Sequence, residues 1–195
     1  MNYQGTQLLP HPAERVWQAL LDPQVLSGCI AGCEQFERVD DNHYKSTVKI
    51  SIGPVSARFS STVALADVVA PQRCTLQFAG QGGVAGFGKG AAQVQLLPQD
   101  GGASTRLDWS AEAHVGGRLA QIGSRLIEAT VRKMSEDFFL RFAAQLAKLA
   151  QHEAVATMPT AEAPAVRARP PVKAWARTVA VALAGGMVYW LCFKG

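Results

Sequence analysis

Leu107-Asp108-Trp109-Ser110-Ala111-Glu112-Ala113-His114-Val115-Gly116-Gly117-Arg118-Leu119-Ala120-Gln121-Ile122-Gly123 is the stretch in which the hydrophobic period changes, and it decides the fold. Before the glycine pair, Leu107, Trp109, Ala111, Ala113 and Val115 alternate with Asp108, Ser110, Glu112 and His114. That period of two describes a strand with one face buried and one in water. After Gly116-Gly117, Leu119, Ile122, Leu126, Thr130, Met134, Phe138, Phe142, Leu146 and Leu149 recur at intervals of three or four, which predicts one long helix.

Working toward the N-terminus, the same alternation returns. Tyr44, Ser46, Val48, Ile50 and Ile52 share one parity, and Gly53-Pro54 supplies a turn. Val55, Ala57, Phe59, Val63 and Leu65 then point inward while Ser56, Arg58, Ser60 and Thr62 point outward. Further strands fall at Cys74, Leu76 and Phe78 and near 87–97. One polar face per strand indicates an antiparallel sheet. Ahead of them, Val16, Trp17, Leu20 and Leu21 mark a short helix after a first strand. Asp22-Pro23 breaks that helix, and Gln24 to Ile30 forms a second brief helical turn.

These elements predict an α+β helix-grip fold over residues 1–150: a curved antiparallel β-sheet wrapped around a long C-terminal α-helix. Residues 151–172, with six Ala and four Pro and no apolar period, read as a flexible linker. Residues 173–195 read as a hydrophobic C-terminal helix. Small inward residues (Ala57, Ala92, Ala111, Ala113) leave volume between sheet and helix where an apolar ligand fits, although ordinary side chains could also fill it. Parity and helix phase place Trp17, Phe59, Phe78, Trp109, Ala113, Leu119, Ile122, Leu126 and Met134 around that volume. A glycine-rich hairpin with Gly82, Gly83, Gly86 and Gly88 would carry Phe87 over its mouth.

The chain has 195 residues, 48% hydrophobic and 17% charged, which suits one domain with appendages. Its net charge of +4 is unevenly placed: residues 1–150 hold 14 basic against 13 acidic side chains, and residues 151–195 hold five against two. The folded part therefore lacks the basic face expected of a nucleic-acid binder. The first ten residues lack a basic segment followed by an apolar one, so the domain is expected in the cytoplasm, with its four cysteines reduced.

Thr178 to Phe193 is sixteen residues without a charge, about 24 Å as a helix, and nineteen residues when counted from Trp175. Arg177 can extend to the interface, and Trp175, Tyr189 and Trp190 sit where interfacial aromatics belong. A single span with the domain on the cytoplasmic face of the cell membrane is the favoured expectation. A helix packed on a partner protein is the other.

Catalytic chemistry finds little support. Gly83-Val84-Ala85-Gly86-Phe87-Gly88-Lys89-Gly90 approaches a phosphate-binding loop, but Gly90 stands where a hydroxyl is required and a strand follows instead of a helix. Cys29 and Cys33 lack the further ligands that a structural zinc takes. His11, His43 and His114 are scattered, and no Gly-x-Ser-x-Gly is present. No metal, no catalytic residue and no covalent cofactor are expected.

Over about residues 1–150 the chain resembles the CoxG family, the accessory proteins of carbon monoxide dehydrogenase, a branch of the helix-grip superfamily that includes the START and Bet v 1 proteins. The resemblance rests on Asp22-Pro23, Ala31-Gly32-Cys33-Glu34, Val48-Lys49-Ile50 with Gly53-Pro54, the run from Gly116 to Gly123, and Phe138-Phe139 with Phe142. Ala31 departs from the family's usual proline. The resemblance implies a non-catalytic accessory protein of a molybdenum hydroxylase, attaching that enzyme to the cytoplasmic membrane and holding an apolar ligand such as a quinone. The readings beside it are a pure anchor with a solid core and a cavity enzyme of the aromatase or cyclase kind.

Overall fold

In a computed structural model the described residues are 1–156; residues 157–172 of the expected linker and the tail with Trp175, Arg177, Tyr189 and Trp190 lie outside the described residues. Strand β1 (Asn2–Leu9) is followed by helices α1 (Ala13–Leu21) and α2 (Pro23–Cys29). Six strands come next: β2 (Cys33–Arg38), β3 (His43–Ile52), β4 (Val55–Val69), β5 (Arg73–Gln81), β6 (Phe87–Gln99) and β7 (Ser104–Gly116). Helices α3 (Arg118–Gln121) and α4 (Ser124–Ala156) close the described chain. Among the described residues, no helix is long and apolar enough to cross a membrane.

The strands form one antiparallel sheet in the order β1-β7-β6-β5-β4-β3-β2, so the strand after α2 lies at one edge and the first strand at the other. The topology is the expected α+β helix grip. Alternation along β3 and β4 follows the sequence: Tyr44, Ser46, Val48, Ile52 and Phe59 are buried, and Lys45, Lys49, Arg58 and Ser60 are exposed. Asp22 separates the two short helices. It ends α1 in an extended conformation, and its side chain accepts a hydrogen bond of 2.8 Å from Gln24 N at the start of α2, with Pro23 in the first turn.

The long helix departs from expectation in two ways. Gly123 adopts φ +95, a left-handed value that ends α3, so α4 begins afresh at Ser124. The fully or nearly buried positions of α4 are Ile127, Phe142 and Leu146: the last two lie on the expected row, and the first turn departs from it. Leu126, expected inside, is 42% exposed and instead lies over the β3–β4 turn, where a Cβ on Gly53 would come within 2.8 Å of its Cδ2. The helix also continues to Ala156, six residues past the expected domain end.

Two buried clusters form. The larger joins Leu9, Val16, Trp17, Ala19, Val25 and Cys29 to Leu96, Leu107, Phe142 and Leu146. The smaller joins Ile52, Phe59, Ala85 and Leu119, with Ile122 packed against it.

Candidate functional site

The site grows from what α4 leaves unfilled. Its N-terminal half stands off the inner face of β5–β7, where the side chains are small: Gly90 and Ala92 on β6 face Ala113 and Ala111 on β7. The result is an apolar cavity of about 420 Å³. Trp17, Leu20 and Leu21 of α1 and Leu26, Ile30 and Ala31 of α2 and its following turn form one side. Leu65, Cys74, Leu76, Ala92, Val94, Leu107 and Trp109 form the sheet wall, and Val131, Met134, Ser135, Phe138 and Phe139 of α4 form the roof. No Asp, Glu, His, Lys or Arg lies on this wall.

Aromatic packing fixes the roof. The rings of Phe138 and Phe142 stack with centroids 5.8 Å apart and planes at 10°, and Phe138 meets Phe139 edge-on at 5.2 Å. Burial raises the pKa of the Cys74 thiol, which keeps the sulfur neutral and poorly nucleophilic. Desolvation likewise raises the thiols of Cys29, partly opposed by Arg141, and Cys33.

A second space of about 500 Å³ opens between edge strand β1 and α4. Tyr3, Gln7, Glu128, Arg132 and Glu136 give it a polar rim, and it shares Trp109, Val131, Ser135 and Phe139 with the apolar cavity. Burial, reinforced by Glu128, raises the pKa of Tyr3. A larger depression, about 840 Å³, lies on the opposite face of the sheet among Gln93, Gln95, Thr75, Arg73 and Asp108. It is a solvated polar surface and offers nothing for an apolar molecule.

Of the residues expected around the cavity, Trp17, Trp109 and Met134 line it. Phe59, Leu119 and Ile122 belong instead to the smaller cluster. Phe78 lies over Gly90, its cross-strand partner, and Ala113 pairs with Gly90 from the other side; both face inward but neither forms the wall. Leu126 is displaced by the break at Gly123. Phe87 is on the wrong face: it has the parity opposite to Gly88, Gly90 and Ala92, is 43% exposed, and covers Gly116 on β7. The glycine hairpin therefore does not close the cavity; its inward residue is Ala85, fixed in the smaller cluster.

The cavity also takes Leu26 of α2 and Ile30 just after it, and Val131, Ser135 and Phe139 of α4, which parity and a continuous helix phase do not select. For α2 the signal is the apolar four-residue spacing of Leu26 and Ile30. On α4, Val131, Ser135 and Phe139 flank the expected Met134 and Phe138, so the roof is wider than the single row the period selects.

Comparison with known proteins agrees with the fold. A conserved protein from Geobacillus kaustophilus superposes with a TM-score of 0.71 at 31% identity, over 76% of this chain and 96% of that one. A START superfamily protein from Mycobacterium smegmatis matches at 0.57 with 14% identity, over 76% and 98% of the two chains. An aromatase/cyclase from Streptomyces matches at 0.58 with 13% identity, over 76% and 94%. The last two likenesses concern the fold alone. No curated protein matches the sequence. Residues 5–147, spanning the sheet, the cavity and most of α4, match the profile of the carbon monoxide dehydrogenase CoxG family, and the chain belongs to that family.

Proposed function

We propose that this chain is a non-catalytic carrier that holds an apolar ligand, a quinone, in the cavity beneath α4 and presents it to a molybdenum hydroxylase of the carbon monoxide dehydrogenase type. The observation that carries the reading is the cavity: about 420 Å³, within the range of roughly 300–1,000 Å³ typical of ligand sites, walled by aliphatic and aromatic side chains. Trp17, Trp109, Phe138 and Phe139 offer flat faces to a ring, and Leu20, Leu21, Leu65 and Leu76 offer a path for a prenyl chain. The wall holds no Asp, Glu, His, Lys or Arg, and burial keeps its one thiol, Cys74, protonated, which favours this reading over that of a cavity enzyme. Reduction of the quinone takes two electrons and two protons, both from the partner's side; the carrier supplies only position and exclusion of water. Residues 173–195 tether the domain to the cytoplasmic face of the membrane, so that recruitment and ligand delivery reside in one chain.

Two variants in cells test the reading. Deletion of 173–195 removes the tether, and Ala92→Phe fills the cavity from the sheet wall while leaving the tail intact. A carrier requires both, so each variant lowers electron transfer from the partner oxidoreductase to the quinone pool. Full electron transfer with a folded Ala92→Phe protein would leave a docking module and eliminate the carrier.

A further inference from the structure

One polar atom in the cavity region is out of place. Among the described residues, Trp109 Nε1 is the only buried side-chain nitrogen or oxygen without a hydrogen-bond partner. Buried donors are nearly always paired, because a donor stripped of water and left unmade is costly. The exception here falls on a residue of the cavity wall. Trp109 of β7 pairs with Gly5 of β1, and a Cβ at position 5 would lie 2.7 Å from Nε1; only glycine lets the indole rest across the edge strand. The ring consequently stands where the apolar cavity meets the polar cleft between β1 and α4. Ser135 lines both spaces from the helix side.

We infer that Trp109 Nε1 is the group that reads the ligand: it donates a hydrogen bond to a carbonyl oxygen of an otherwise apolar ring, so that the ligand lies with its carbonyl toward the β1–α4 cleft and its hydrocarbon toward Leu21, Leu65 and Leu76. The inference rests on the carrier reading and adds to it the recognising group and an orientation. Nε1 is covered where it lies against Gly5, so the inferred donation needs a tilt of the indole about its own side-chain torsions to bring the N–H into the cavity. An apolar ring with no acceptor fills the same space but leaves the donor unmade, so the site discriminates between two molecules of equal shape.

Duroquinone and durene are such a pair: both are tetramethyl-substituted six-membered carbon rings, differing in two carbonyl oxygens. Full substitution also blocks thiol addition to the ring, which matters beside Cys74. Equilibrium dialysis of the full chain and of Trp109→Phe is expected to show a duroquinone-to-durene affinity ratio about tenfold higher in the wild type, the worth of one hydrogen bond to a buried donor once the different hydration of the two molecules cancels. Trp109→Phe keeps an aromatic face and removes the N–H, so it should lower that ratio while still binding durene, which also reports that the variant is folded. A folded Trp109→Phe protein with the wild-type ratio overturns the assignment. A wild type that binds neither overturns the carrier reading itself. Should Trp109→Phe not fold, the indole N–H resonances of the wild-type chain decide. With Trp17, Trp175 and Trp190 assigned by their own Phe variants, the Trp109 signal should move downfield with duroquinone and stay in place with durene. No movement with a bound quinone overturns the inference.

Discussion

Trp109 on β7 and Phe139 on α4 bring their ring centroids to 6.2 Å with planes tilted by 30°, and this pair spans from the sheet to the long helix at the side of the cavity. Both residues also border the cleft behind it. The pair is thus a strut: it holds the helix off the small residues of β6 and β7 and keeps the space between them open.

The strut and the core below it should respond differently to truncation. Phe142 is fully buried, and Phe142→Ala should cost about 3–5 kcal/mol in urea unfolding. Phe139 is only partly buried, so Phe139→Ala should cost about 2 kcal/mol while weakening ligand binding more than it lowers stability. Equal destabilisation by both, with binding intact in Phe139→Ala, would remove the strut.

Gly123 carries the break between α3 and α4. Nothing lies within 4 Å of a Cβ built there, so alanine meets no steric obstacle and its cost comes from φ +95 alone. Gly123→Ala should lower stability by about 1–2 kcal/mol, measured by thermal or urea unfolding. Unchanged or increased stability would mean that α3 and α4 prefer to run as one helix.

That glycine also explains how much can be read from the sequence. Strand parity is legible because the sheet buries one face, so alternation alone turns Phe59, Leu65, Leu76 and Leu107 inward. Helix phase beyond Gly123 is legible from Met134 through Phe138 and Phe142 to Leu146 but not in the first turn, where a continuous count from Leu119 reaches Leu126 whereas the helix buries Ile127. Phe87 misleads for a different reason. Glycines on both sides give no alternating pattern from which to set its parity, and the register with Gly116 places it outside. Small residues announce the apolar space, but its walls depend on how α1, α2 and α4 meet, which no local period records.

The buried thiols give the protein a pH signature. Burial raises the pKa of Cys29, Cys33 and Cys74 in the folded chain above the ordinary thiol value. As pH rises through that ordinary value, the unfolded chain loses protons that the folded chain still holds, so stability falls with pH. The urea midpoint should be lower at pH 9.5 than at pH 7, and Cys74→Ala should reduce the difference. A midpoint that is flat or rises over this interval would show the thiols to be solvated in the folded state.

The central claim is that the space beneath α4 carries an apolar molecule. It is tested most directly by purifying the full chain and Ala92→Phe side by side from the same cells, extracting each with organic solvent, and measuring the quinone recovered per protein by mass spectrometry. The carrier account predicts quinone in the wild-type extract, approaching one molecule per chain, and little in the extract of the folded variant. Equal amounts from both proteins, or none from the wild type in membranes rich in quinone, would contradict it.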